Sequence, residues 1–528
     1  MGMGLELCGC GKKNQEEEET HTKQDTQINQ STPLTNIETP SSSPLTTQNT
    51  QNPNVDDLIL IDRAILIGKG KGDFKEKYDI GKKLGGGTFG QVYLCTNKKT
   101  NEKVAVKMLR KNKKNNKLNK EILNEIDLLK NLDHRNIINI FEFYEGSYII
   151  YIVTQYCKSG NLFQYVRKTN NYISEAQVSV ILFQILSAIN YCHQQNIIHR
   201  DIKPENIMLD DNSKSGYPFV RLIDFGTSKY LENEYENELI GTPYFIAPEV
   251  IKRRYDSKCD IWSIGILLYF LISKKRPFDG KKLEEIFDGI NNKEINFSIK
   301  PFDTTSEELK DLILKLLKKN PNERLTAQEA LNHPWFTKNK TKEKLSYLST
   351  TEMNELLDNI RNYNPKNVLQ QIALSYLVNK NPNAETVNKA SCLFIKLDKD
   401  NNGIIDNKEF VHGLKTLFDE EGKNVDEEFL INNFKRIDSN NNGNIEYEEF
   451  IRAAIDKKEF LNEDIMKEAF DHFDKDDSGQ ITVDEIANVF GFNERINEFS
   501  SIIEECDIDQ NGSVELDEFI YIMEKIIL

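Results

Sequence analysis

Hydrophobic positions change their period several times along the chain, and each change marks a segment. Residues 14–54 are mostly Gln, Asn, Thr, Ser, Pro and Glu, with too few apolar side chains to offset the entropy of ordering, and read as disordered. Short β-branched and aromatic runs at Tyr78–Leu84, Val92–Leu94, Val104–Val106 and Tyr148–Val153 predict strands, the last of them buried. Leu118, Ile122, Ile126 and Leu129 recur at helical spacing within and beyond a basic, Asn-rich run at 111–120 that reads as a solvated loop. Val178–Tyr191 predicts an apolar helix. Ile264–Ile272, the longest apolar run, is too short to span a bilayer and suits a core helix. Met353, Leu356, Leu357, Ile360 and Tyr363 form one helical stripe, and Val368, Leu369, Ile372 and Tyr376 a second. Asn364-Pro365 between them reads as N-cap and first helical residue. Helical patterns, such as Leu393, Phe394 and Leu397, flank four acidic loops in the last third of the chain.

These shifts divide the chain into a tail (1–54), a lead-in (55–77), a first folded unit (78–336), a junction (337–386) and two helical pairs (387–456 and 457–528). A length of 528 residues agrees with roughly three to four domains. The net charge of −16 leaves no basic excess to displace counterions, which argues against nucleic acid as a partner. The eight cysteines show no disulfide or zinc spacing, and no basic start precedes an apolar core at the N-terminus. The expectation is a reducing, cytoplasmic setting without a secretory signal.

Candidate chemistry concentrates in His199-Arg200-Asp201-Ile202-Lys203-Pro204-Glu205-Asn206. Within eight residues it offers a carboxylate, an ammonium and an amide. Phosphoryl transfer to a hydroxyl uses such groups to orient the hydroxyl, neutralise phosphate and hold a metal. Leu84-Gly85-Gly86-Gly87-Thr88-Phe89-Gly90-Gln91-Val92 lies between two predicted strands, and its glycines let backbone N–H groups approach phosphates. Lys107 ends the next apolar strand, and Glu125, at the edge of the following helical stripe, can reach it as an ion pair. Asp224, after a short apolar strand at 221–223, faces Asn206 as a candidate magnesium ligand. Arg324 is placed to pair with Glu249. Glu232, Glu234, Glu236 and Glu238 line the segment after Asp224, where pairing with Arg200 competes with a solvated acidic loop. Gly68, Gly70 and Gly72 lack flanking strands and read as a flexible approach.

The four acidic loops share one 12-residue plan. Calcium takes six to eight oxygens. The first loop offers Asp398, Asp400, Asn402, Ile404 (through its carbonyl), Asp406 and Glu409. The second offers Asp438, Asn440, Asn442, Asn444, Glu446 and Glu449. The third offers Asp474, Asp476, Ser478, Gln480, Thr482 and Glu485, and the fourth Asp507, Asp509, Asn511, Ser513, Glu515 and Glu518. Each has Gly at position 6 for the sharp turn and an apolar residue at position 8, which predicts pairing of loop one with two and three with four. Acidic ligands number four, three, three and four, so weaker binding is expected at the second and third loops. At the N-terminus Gly2 is a candidate for myristoylation, although Glu6 stands where Ser or Thr is expected, and Cys8 and Cys10 are candidates for palmitoylation. Acylation there would give peripheral membrane contact.

With these motifs in this order, the chain resembles the calcium-dependent protein kinases over residues 78–528. The resemblance implies a two-lobed α+β protein-kinase fold followed by an all-α, calmodulin-like domain of four EF-hands. It implies a monomer using MgATP and up to four calcium ions, with protein Ser/Thr acceptors. Lys107 would hold the α- and β-phosphates, Asp201 accept the proton, and Lys203 contact the γ-phosphate, while Asn206 and Asp224 bind magnesium. The glycine loop, with Gln155 and Cys157 of the connector, would cradle ATP, and Thr154 would stand beside the adenine pocket. Calcium would release an autoinhibitory junction, which becomes an intramolecular ligand of the EF-hands. Two departures stand out: Asn161 replaces the Glu with which related kinases read a basic residue three before the target, although Glu205 remains, and Glu352, Glu355 and Asp358 make an often basic junction acidic. The competing class is a non-catalytic calcium scaffold, which the presence of Lys107, Asp201 and Asp224 disfavours. A constitutive kinase with buffering hands is a third reading.

Overall fold

A computed structural model describes residues 63–70, 72–87, 90–111, 116–210, 216–365, 367–382, 384–460, 462–489 and 499–525. Five strands build the first lobe: β1 (Tyr78–Gly87), β2 (Gly90–Asn97), β3 (Lys103–Arg110), β4 (Ile140–Glu145) and β5 (Ile149–Gln155). They form one antiparallel sheet in the order β1-β2-β3-β5-β4. Helix Asn116–Asn131 lies between β3 and β4 in sequence. It begins inside the basic run expected to be a loop, because its apolar stripe, with Ile122, Ile126 and Leu129 buried, extends the helix backwards. Tyr148 is 66% exposed and β5 starts one residue later; none of its seven residues is exposed, and the adjacent Ile152 and Val153 are both buried, so the strand is covered on both faces as expected.

The second lobe is helical. Helices Glu175–Gln194 and Lys258–Ser273 cross its centre, and every residue from Cys259 to Ser273 is buried. Glu249 and Arg324 join inside this lobe through two contacts of 2.5 and 3.0 Å, with Arg324 packed over Trp262. A buried carboxylate is tolerable when an arginine engages both its oxygens.

A second hydrophobic core unites the junction with the last third of the chain. The four loops pair as expected: Ile405 faces Ile445 and Ile481 faces Val514. The first junction helix (Thr350–Arg361) buries Met353, Leu356, Leu357 and Ile360 in this core. The second (Val368–Lys380) is buried along almost its whole length. Its N-cap is Asn367, whose side chain accepts from Gln370 N at 2.9 Å, and not Asn364; Tyr363–Pro365 are not helical. The lead-in is not a free approach either: Leu66 packs into the second core and Ile67 into the first, and Gly70 N donates to Phe143 O on β4 at 2.8 Å.

Candidate active site and calcium loops

The registers of β2, β3 and β5 set Lys107 opposite Val92 on one side and Ile152 on the other. Its Nζ lies 2.5 Å from Glu125 Oε1 and 2.7 Å from Asp224 Oδ1. Burial works against the charge on Lys107, but the two carboxylates outweigh it and raise its pKa, so it stays cationic. Burial likewise opposes ionisation of Asp224, and Lys107 overcomes this and holds that carboxyl below the usual range.

Across the cleft, Asp201 is buried, with Oδ2 2.7 Å from Lys203 Nζ and 3.0 Å from Asn206 Nδ2. Because Asn206 spends its amide N–H groups on Asp201, its Oδ1 is left as an acceptor. Asn206 O accepts from Ile223 N at 2.9 Å, which ties the catalytic loop to the strand that delivers Asp224. The carboxylate of Asp224 and the amide oxygen of Asn206 are hard oxygen donors, and they fit magnesium. Arg200 and Asp224 both adopt left-handed backbone, with φ of 69° and 64°. At Arg200 the strain is held by Asp260, whose two oxygens accept from His199 N and Arg200 N at 2.9 Å each.

The contact that Thr242 makes with Asp201 and Lys203 is not legible in the sequence, which marks Thr242, with Thr227 and Ser228, only as a residue whose phosphorylation is open. Thr242 Oγ1 donates to Asp201 Oδ1 at 2.7 Å and accepts from Lys203 Nζ at 3.0 Å, so the segment from Asp224 to Glu249, the activation segment, closes onto the Asp201–Lys203 pair. The triplet Gly241-Thr242-Pro243 carried no periodic or charge signal that could have found it. Arg200 lies 3.1 Å from Glu238, while Glu236 pairs with Lys229 at 2.9 Å. Of the four glutamates considered, these two are engaged by cations.

The glycine loop joins β1 to β2 through Gly85 opposite Val92, Gly86 opposite Gln91 and Gly87 opposite Gly90. A Cβ on Gly90 would strike the carbonyl of Met108 at 2.4 Å, so only glycine fits there. Leu84 is exposed at the lip. In the connector, Gln155 turns its side chain inward to Asp210 at 3.3 Å, Thr154 donates to Ala105 O at 3.2 Å, and burial pushes the Cys157 thiol up to about 12. The connector therefore offers its backbone to a ligand. Asn161 caps helix Leu162–Lys168 through Gln164 N. Thr88 and Phe89 lie outside the described residues, as do Gly2, Cys8 and Cys10.

All four loops fold alike. The position-6 glycines Gly403, Gly443, Gly479 and Gly512 have φ between 84° and 91°. Each terminal glutamate reaches back over its loop; Glu409 Oε1, for example, accepts from Lys399 N at 2.8 Å and Asp400 N at 3.2 Å. Carboxylate oxygens of Asp398, Asp400 and Glu409 lie within 4.8 Å of one another, as do those of Asp474, Asp476 and Glu485, and of Asp507, Asp509 and Glu518. In the second loop Asn440 supplies an amide in place of the third carboxylate. The donor sets are oxygen-only and fit calcium.

The first loop also touches the kinase-like unit. Asn401 O accepts from Asn190 Nδ2 at 3.0 Å, Asp400 O accepts from Gln328, and Lys342 Nζ lies 2.5 Å from Asp398 O and 2.7 Å from Asn401 Oδ1. Further along, Glu448 N donates to Asp133 Oδ2 at 2.6 Å, and Asn139 Nδ2 to Asn379 Oδ1 at 3.1 Å.

The fold and the site define a protein kinase domain followed by two EF-hand pairs. Comparison with known families agrees: residues 78–336 match the protein kinase domain, and residues 388–455 and 463–524 match the EF-hand domain pair. The chain is 33% identical to calcium-dependent protein kinase 4 of Plasmodium falciparum over 456 residues, covering 84% of this chain and 86% of the relative. It is 33% identical to calcium-dependent protein kinase 3 of Plasmodium berghei, covering 86% and 81%. The chain belongs to the calcium-dependent protein kinase family.

Proposed function

We propose that this chain is a calcium-activated serine/threonine protein kinase that transfers the γ-phosphate of ATP to protein substrates. The observation that carries the reading is the convergence of Lys107, Glu125 and Asp224 on one side of the cleft with Asp201, Lys203 and Asn206 on the other. Lys107 holds the α- and β-phosphates. Asp201 orients the acceptor hydroxyl and takes its proton, and Lys203 neutralises the transferring group. Asn206 and Asp224 hold magnesium, which neutralises phosphate charge when bound. The glycine loop and the backbone at Gln155 and Cys157 seat the nucleotide. Glu238 serves Arg200 as a built-in anion, so the activation segment needs no phosphate there.

Regulation belongs to the same proposal. Calcium at up to four loops keeps the first junction helix in the apolar core of the hands, where its stripe is buried. Without calcium that helix leaves the hands and obstructs the cleft; tethering makes its recapture intramolecular and hence efficient. The chain acts as a cytoplasmic monomer, with Gly2, Cys8 and Cys10 as acylation sites for membrane contact. The test is phosphate transfer to a Ser/Thr peptide by the full chain, with and without calcium, beside Asp201→Ala. Calcium-stimulated transfer that Asp201→Ala abolishes supports the reading; transfer that survives the substitution overturns it.

A further inference from the structure

The cleft is flanked by a cluster of cations that the roles above do not use. Helix Leu162–Lys168, capped by Asn161, and the segment after helix Lys258–Ser273 are packed together. Phe163 stacks on Phe270 with ring centroids 6.2 Å apart, and Lys274 Nζ donates to Thr169 O. Residues 161–170 and 274–282 together hold seven Lys/Arg against one Asp/Glu, in a chain whose net charge is −16. None of the seven forms an ion pair with a carboxylate among the described residues. Acidic groups border the cluster, with Asp279 inside the second segment and the Glu285 carboxylate accepting from Lys281 N at 2.8 Å, but cations outnumber them and, among the described residues, none of the seven is neutralised by a paired carboxylate.

Arg276 gives the cluster its direction. Its guanidinium lies 3.7 Å from the ring centroid of Tyr244, two residues after Thr242, which is bonded to Asp201 and Lys203. Stacking on an aromatic face orders the side chain while leaving its N–H edge free for a carboxylate. The guanidinium is therefore held beside the segment against which the target residue must lie. The chain also contains an acidic counterpart. The first junction helix carries Glu352, Glu355 and Asp358, and Glu355 and Asp358 are exposed on the face opposite its buried stripe.

We propose that this cluster, centred on Arg276, is a substrate-recognition surface for acidic peptides, which selects targets with Asp or Glu flanking the phosphorylated Ser or Thr. The acidic junction helix is a self-ligand of the same charge class. This inference rests on the protein-kinase reading above.

The test uses the full chain with calcium, MgATP and a set of Ser peptides carrying Asp at single positions from five before to four after the target. Matched peptides carry Asn or Arg instead. The wild-type chain is expected to favour the best acidic peptide over its Asn counterpart by about tenfold in kcat/KM, through KM, with a preference that weakens as salt rises. Arg276→Gln lowers that ratio to about two, and Arg276→Lys, which keeps the charge but loses the stacked planar edge, leaves it in between. Lys281→Gln with Lys282→Gln gives an intermediate ratio and is independent of any packing lost around Tyr244. Equal rates for Asp and Asn peptides, a preference for the Arg peptides, or an acidic preference that survives in Arg276→Gln overturns the proposal. Absence of transfer to every peptide, together with absence of autophosphorylation, overturns the kinase reading itself.

Discussion

At the residue scale, Asp201 and Lys203 are held by three short contacts, and two substitutions separate chemistry from positioning. Asp201→Ala removes the proposed proton acceptor and is expected to lower kcat by about 10³-fold while leaving ATP binding close to normal. Thr242→Val breaks the bridge between Asp201 and Lys203. It is expected to lower kcat by about tenfold with the KM for ATP unchanged, and Thr242→Ser to restore most of it. A Thr242→Val chain with wild-type kcat would show the bridge to be incidental. The octet from His199 to Asn206 was legible because its groups are adjacent in sequence. Lys107, Glu125 and Asp224 were legible because each sits at a fixed place in an apolar pattern. Thr242 was not, since its role depends on the activation segment folding back over the loop, which no local pattern encodes.

At the element scale, the calcium loops were the most legible part of the chain, because a metal shell of fixed size forces a 12-residue spacing with glycine at position 6. The neighbours of each loop were not legible. A Cβ on Gly403 would meet His134 Cδ2 at 3.0 Å and Tyr191 Cδ2 at 3.1 Å, whereas nothing lies within 4 Å of the same site on Gly443, Gly479 or Gly512. Alanine at any of the four carries the left-handed backbone penalty, roughly 1–2 kcal/mol. Only Gly403→Ala also presses on the kinase domain. It is therefore expected to raise the calcium concentration for half-maximal activity more than Gly512→Ala does, read in the same activity titration. Equal shifts would mean that the contact with His134 and Tyr191 is not coupled to activation. The N-cap at Asn367 and the early start of helix Asn116–Asn131 were misread for a related reason. Asn-Pro is a strong local signal, and a basic run looks solvated, yet burial of an apolar stripe decides where each helix begins.

At the scale of the whole molecule, two hydrophobic cores meet along a polar seam built from Asp133, Asn139, Asn190, Gln328 and Lys342. None of these residues belongs to a motif, and pairings across more than 50 residues of sequence leave no periodicity to read. Lys342 sits on a short helix pinned to the kinase domain by Thr341 Oγ1, 2.9 Å from Ser179 Oγ. Lys342→Gln is expected to weaken docking of the first loop and to raise the calcium needed for activation several-fold, without changing the maximal rate. A chain ending at residue 336 lacks both the obstructing junction and the seam, and is expected to respond to calcium not at all. Calcium control of the full chain is decided by titrating its peptide kinase activity with free calcium. A steep, saturable rise from a low basal rate, reversed by a chelator and abolished in Asp201→Ala, is expected; activity that is the same in chelator as in saturating calcium would contradict calcium control.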